Sequence, residues 1–119
     1  MAAAVQRNKH RILTVRCALP IVISWETDSV KFTPALYHAG PATLLAQIAQ
    51  QTASTLALCA HNPGIGELAA RLVTTAPTHP RFQDYPTAAM TLIRFDAARW
   101  RDIRKGTCVD FTIPRDLNG

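Results

Sequence analysis

The stretch Leu56-Ala57-Leu58-Cys59-Ala60-His61-Asn62-Pro63-Gly64-Ile65-Gly66-Glu67-Leu68 constrains the fold of this chain more than any other. A short apolar run of strand character ends at a histidine, a turn follows at once, and a segment of helical periodicity begins just after it. Asn62 and Pro63 stop the strand, because proline fixes its own φ and pushes its neighbour out of the helical region, while Gly64 and Gly66 let the backbone turn sharply. Ile65, Leu68, Ala69 and Leu72 then recur at helical spacing and give one apolar face. Strand, tight turn and helix is the expected order. The first turn of such a helix has N–H groups without intrahelical partners and the positive end of the helix dipole, both near His61. An anion, phosphate above all, is the ligand this arrangement suits. By spacing alone, a histidine at a strand end is more often a structural or surface residue than a catalytic one.

The flanking segments extend the α/β pattern. Val30-Lys31-Phe32-Thr33 reads as a short strand closed by Pro34. Pro41 is a good first-turn residue, and Leu44, Leu45 and Ile48 mark an amphipathic helix over residues 41–51 that leads into a Thr55–Cys59 strand. Helix, strand and helix in immediate succession is the α/β signature. Residues 74–86 hold Pro77, Pro80 and Pro86 and read as a surface loop or lid, with His79 in solvent. Met90–Phe95 is the next strand, Ala97–Arg104 a short helix anchored by Trp100 and Ile103, and Thr107–Ile113 the last strand, after Gly106 and before Pro114.

The start of the chain is open to three readings. Arg7, Lys9, Arg11 and Arg16 precede any acidic residue, and the apolar run Cys17–Trp25 follows. Such a start imitates a signal peptide, yet it leads into Glu26-Thr27-Asp28 rather than small residues; it imitates a transit peptide, yet runs straight into the domain. The third reading is a basic helix of the domain itself, whose bland form is a solvated basic face. The apolar run falls short of the ~18–20 residues that span a bilayer, so no membrane segment is expected.

With 119 residues the chain is expected to form a single domain over 1–119, and 48% hydrophobic residues suit a globular protein. A net charge of +5 suits an anionic ligand, while 7% aromatics and no interleaving of aromatics with basic residues argue against a nucleic-acid platform. Cys17, Cys59 and Cys108 contain no Cys-x-x-Cys pair, which makes a disulfide framework unexpected and a reducing cytoplasm the default location. Cys59 and His61 would face the same side of a strand, but two ligands do not make a metal site, so no metal is expected.

The His61-Asn62-Pro63-Gly64 segment resembles the signature of the histidine phosphatase superfamily, in its SixA-type phosphohistidine phosphatase branch. Three further stretches resemble the same branch and follow in its order: Phe32-Thr33-Pro34-Ala35-Leu36-Tyr37-His38-Ala39, Tyr85-Pro86-Thr87-Ala88-Ala89 running into Leu92-Ile93-Arg94-Phe95-Asp96, and Val109 to Leu117. The resemblance implies an α/β three-layer sandwich of the phosphoglycerate mutase-like type. It also implies phosphoryl transfer by two histidines and two arginines around one phosphate, with no metal or other cofactor. One histidine of the family, in an Arg-His-Gly motif ending the first strand, attacks phosphorus; the other hydrogen-bonds the transferring oxygens. His61 matches the second, supporting histidine. Arg7, in Ala4-Val5-Gln6-Arg7-Asn8-Lys9-His10-Arg11, is the nearest match to an arginine that holds the phosphoryl group on a helix, although Arg11 stands where a threonine is expected.

No Arg-His-Gly occurs in the chain. The expectation is therefore a fold incomplete at its N-terminus, without the first strand and its nucleophile; that strand is usually interior in a parallel sheet, and its loss would expose a hydrophobic edge. On this reading the protein is phosphohistidine phosphatase-like, keeps the supporting half of the phosphate site (Arg7 and His61), and is inactive alone. Its implied partners are a phosphohistidine-bearing phosphotransfer protein or a small phosphate ester, with a complementing chain as a source of the missing strand. The alternative is a non-catalytic module that binds an anion or a phosphoprotein, or a degraded relic.

Overall fold

His10, Ile12 and Thr14 alternate with Arg11, Leu13 and Val15, and three of these six residues are β-branched, so the segment suits a pleated strand buried on one side. It forms one. The computed structural model describes residues 10–17, 21–24, 29–34 and 39–117. In order these form β1 (His10–Arg16), β2 (Ile21–Ser24), β3 (Ser29–Phe32), α1 (Pro41–Ala49), β4 (Thr55–Ala60), α2 (Gly64–Leu72), β5 (Met90–Phe95), a 3-10 turn (Trp100–Asp102), β6 (Thr107–Thr112) and α3 (Pro114–Leu117).

The strands make one mixed sheet in the order β3-β2-β4-β1-β5-β6. β1 pairs parallel with β4, Ile12 opposite Leu56 and Arg16 opposite Ala60, and antiparallel with β5, Ile12 opposite Ile93. β2 runs antiparallel to β4 and to β3, and β6 antiparallel to β5. Two expectations are corrected here. Residues 10–16 are not part of a basic helix, and the interior of the sheet is not short of a strand, because β1 fills it. Arg11 explains how both readings fit one sequence: its side chain is on the exposed side of β1, opposite the buried His10, Ile12 and Thr14.

The core lies on that buried side. Ile12, Leu44, Ile48, Ile65, Leu68 and Ile93 are each 2% exposed or less, and burying an aliphatic side chain of this size contributes about 1.5–3 kcal/mol. Leu44 and Ile48 are the buried face of α1, and Ile65, Leu68, Ala69 and Leu72 that of α2. The helix expected over 97–104 is only the 3-10 turn, because Arg99 is extended (φ −139°, ψ 151°) and Ile103 leaves the turn extended as well. Trp100 still anchors it, fully buried and donating from Nε1 to the Ala53 carbonyl.

The segment 74–89 differs most from a solvent-facing lid. Phe82 and Tyr85 are buried, and their rings meet Phe111 of β6 at 5.1 and 5.7 Å between centroids. Tyr85 Oη lies 2.7 Å from both Thr14 Oγ1 and Thr91 Oγ1, so the ring is pinned between β1 and β5. Tyr85 (φ 46°) and Ala88 (φ 63°) adopt left-handed backbone, which a non-glycine residue holds only when its surroundings enforce it. His79 is not in open solvent: Nε2 is 3.1 Å from Asp116 Oδ2 of α3, and the ring packs edge-on against Phe111.

Candidate functional site

Because β1 and β4 are parallel neighbours, their C-terminal ends emerge side by side. β1 ends in Val15-Arg16-Cys17 and β4 in Cys59-Ala60-His61. The ladder runs one step beyond the strands, with the Cys17 N–H donating to the Ala60 carbonyl at 3.0 Å. Val15 is opposite Cys59, so the two-residue alternation sets Cys17 and His61 beyond them on the same face. His61 is half-buried, immediately before the turn into α2.

Segment 85–89 closes over this end. Arg16 Nη1 donates to the Tyr85 carbonyl at 3.0 Å, and the Arg16 backbone bonds to Ala88 N–H and to the Ala89 carbonyl. Asn62 Nδ2 donates to the same Tyr85 carbonyl at 3.0 Å and to that of Asp84 at 3.1 Å. One carbonyl thus joins the ends of both strands. The Asp84 carboxyl is held below its usual range, first by its hydrogen bond with Arg81 and to a lesser degree by the charges of Arg81 and Arg16.

The start of α2 is less open to an anion than its sequence promises. Ile65 N–H bonds to the His61 carbonyl, Gly66 N–H to Asn62 Oδ1 and Glu67 N–H to the Pro63 carbonyl, so three first-turn donors are already taken. Glu67 adds a carboxylate to that turn. Asn62 is the cause at Gly66: one side chain caps the helix and ties the 84–85 backbone to it. A group that binds here would be held by His61 and the strand-end side chains rather than by the helix amides. Imidazole can donate to an oxyanion or carry a proton, and guanidinium keeps several donors when one is engaged.

Arg7 lies outside the described residues, as do Tyr37 and His38. The strand-end residues that sequence reasoning missed are Arg16 and Cys17: by the alternation of the strand Cys17 shares the face of His61, whereas Arg16, in register with Ala60, lies on the other face and reaches the Tyr85 carbonyl. Their signal was the alternation through 10–15 that makes Arg16 the last residue of a strand. Among the described residues no group of three or more His, Cys, Asp or Glu side chains could hold a metal ion. Cys59 carries a titration that can be measured. Burial, first, and the neighbouring Cys17 thiol push its thiol from 9.0 up to about 12. Because the folded thiol keeps a proton that the unfolded one has lost, this contribution is complete below pH 9 and is lost as pH rises from 9 towards 12. Urea unfolding midpoints are therefore expected to fall across that window, and to fall less steeply in Cys59→Ala; equal slopes in the two proteins would refute the assignment. Burial raises the Tyr85 phenol too, so a residual slope persists in the variant.

A solved structure from Nakamurella multipartitia, named as a phosphohistidine phosphatase SixA, superimposes on this chain with a TM-score of 0.57 at 19% identity. The fold is that of the histidine phosphatases. The match covers 71% of this chain and 56% of the Nakamurella protein, so the chain spans little more than half the length of that relative. No protein-family model and no curated protein matches the chain. The α/β class and the histidine phosphatase fold expected from the sequence thus hold. Among the described residues no helix of this histidine phosphatase-fold chain is long and apolar enough to cross a membrane.

Proposed function

We propose that the chain is a phosphohistidine phosphatase-like protein that binds a phosphoryl group at the joined ends of β1 and β4 but lacks the histidine nucleophile. One observation carries the reading: parallel β1 and β4 end together at Arg16-Cys17 and Ala60-His61, on a histidine phosphatase fold. His61 takes the supporting role. β1 takes the place of the family's first strand, with Arg16-Cys17-Ala18 standing for Arg-His-Gly. The nucleophile is therefore replaced rather than cut away, and the interior of the sheet needs no complementing chain. The substrate class implied by the fold is phosphohistidine on a phosphotransfer protein, or a small phosphate ester. Three cysteines without a disulfide among them fit a reducing, cytoplasmic setting.

The test is thermal stabilisation by inorganic phosphate, with turnover of a phosphohistidine protein and an aryl phosphate measured in parallel. Phosphate is expected to raise the melting temperature of the parent chain and not that of His61→Ala, and neither protein is expected to turn over substrate. Equal stabilisation of both would remove His61 from the site. Turnover by the parent would show that a group other than histidine serves as nucleophile.

A further inference from the structure

His10 is the first residue of β1 and lies on its buried side, 8% exposed, on the same face as Ile12 and Thr14. Its ring meets that of Trp100 edge-on, at 5.0 Å between centroids and 79° between planes. Nδ1 is enclosed there with no hydrogen-bond partner. A buried polar atom left unpaired destabilises a fold, a cost that an aliphatic residue at this strand position would avoid. Packing therefore does not account for the nitrogen. The ring also forms one wall of a cleft of about 280 Å³ between the end of α1 and the 3-10 turn, whose other polar walls are Gln50, Gln51, Thr52, Arg99 and Arg101.

Only Nδ1 is closed off, so Nε2 is the nitrogen through which the ring can meet a ligand in the cleft. An enclosed N–H without a partner is rarer than an acceptor without one, which puts the proton of the neutral ring on Nε2. His10 thus offers the cleft a donor. The charge around it has the matching sign: no carboxylate is among the described residues that line it. Arg99 is engaged by Asp102 at 2.9 Å, whereas Arg101 has no such partner among the described residues. The last carbonyls of α1, which would repel an anion, are partly taken. That of Gln47 accepts from Gln50 N–H and Gln51 Nε2, and that of Ile48 from Gln51 N–H.

We propose that this cleft is a binding site for a small oxyanion, carried as a carboxylate or a phosphate, held by Arg101 and by His10 Nε2. A guanidinium presents two parallel N–H donors to such a group, and the Thr52 hydroxyl can add a third. The volume suits a small metabolite rather than a macromolecular segment. His10 begins β1 while His61 follows the end of its parallel neighbour β4, so roughly 20 Å of strand separates this cleft from the strand-end site. A ligand here is independent of any phosphoryl group bound there.

The experiment titrates the isotope-labelled full-length chain, at constant pH and ionic strength, with citrate in one arm and inorganic phosphate in the other. The imidazole nitrogens of the four histidines are followed by NMR. The expected result is a saturable shift of His10 Nε2 in at least one arm, and the arm that gives it identifies the oxyanion. Arg101→Ala, a change at an exposed residue, is expected to weaken this binding by about tenfold or more, the effect of losing a charge-assisted hydrogen bond. His61→Ala is expected to leave it unchanged. No saturable shift at His10 in either arm, equal affinity in Arg101→Ala, or loss of the shift in His61→Ala would each overturn the proposal.

Discussion

Tyr85→Ala is expected to lower unfolding free energy by about 3–5 kcal/mol, the usual cost of emptying a large buried aromatic site. The ring is fully buried, touches Phe82 and Phe111, and reaches both Thr14 and Thr91 through its hydroxyl. Tyr85→Phe keeps the ring and removes the oxygen that the two buried threonine hydroxyls share, which is expected to cost about 1–3 kcal/mol. The Tyr85 carbonyl that holds Arg16 and Asn62 survives in the Phe variant, so phosphate stabilisation should persist there at reduced melting temperature. Urea denaturation of the three proteins decides this. A loss below about 1 kcal/mol for Tyr85→Ala would mean that the segment 82–89 is not part of the cooperative core.

The second large effect is a gain. If β1 ends where the family holds its nucleophile, Cys17→His with Ala18→Gly rebuilds Arg-His-Gly opposite His61, and aryl-phosphatase turnover should rise by about a hundredfold or more over the parent. Adding His61→Ala to the rebuilt protein should return it towards the parental level, since a supporting histidine is useful only beside a working nucleophile. A rebuilt protein that folds, binds phosphate and shows no turnover would mean that the end of β1 is not aimed at the phosphoryl position.

The parts of the fold that could be read from sequence were those whose signals are local. Leu56–Leu68 shows a strand, turn and helix because proline, glycine and helical periodicity act over a few residues; α1, β5 and β6 were legible for the same reason. β1 was not, since its positive charges suggested a basic helical face. Yet Arg7, Lys9 and Arg11 are spaced by two, which is the period of a strand, and Ile12, Thr14 and Val15 favour one. The role of Tyr85 was hidden for a different reason. Three prolines nearby announce an irregular segment, but nothing local tells that its phenol will lie between Thr14 and Thr91, residues that only the fold brings together. At the site, His61 was named by the resemblance of His61-Asn62-Pro63-Gly64 added to its position at a strand end, whereas Arg16 and Cys17 acquire meaning only from the parallel pairing of β1 with β4. The occupied amides at the start of α2 were likewise invisible, because they depend on where Asn62 turns its side chain.

The position of β1 also decides the order in which the molecule can be made. Its neighbours, β4 and β5, are translated long after it, with Ile12 waiting first for Leu56 and then for Ile93. No hairpin can shelter it meanwhile. Loop closure over such separations slows folding, and an apolar strand left open on both edges during synthesis is a site for wrong pairing. Arg11 on that strand sets like charges against each other wherever two unfinished copies meet in parallel register, the same means by which charged residues blunt the exposed edges of finished sheets.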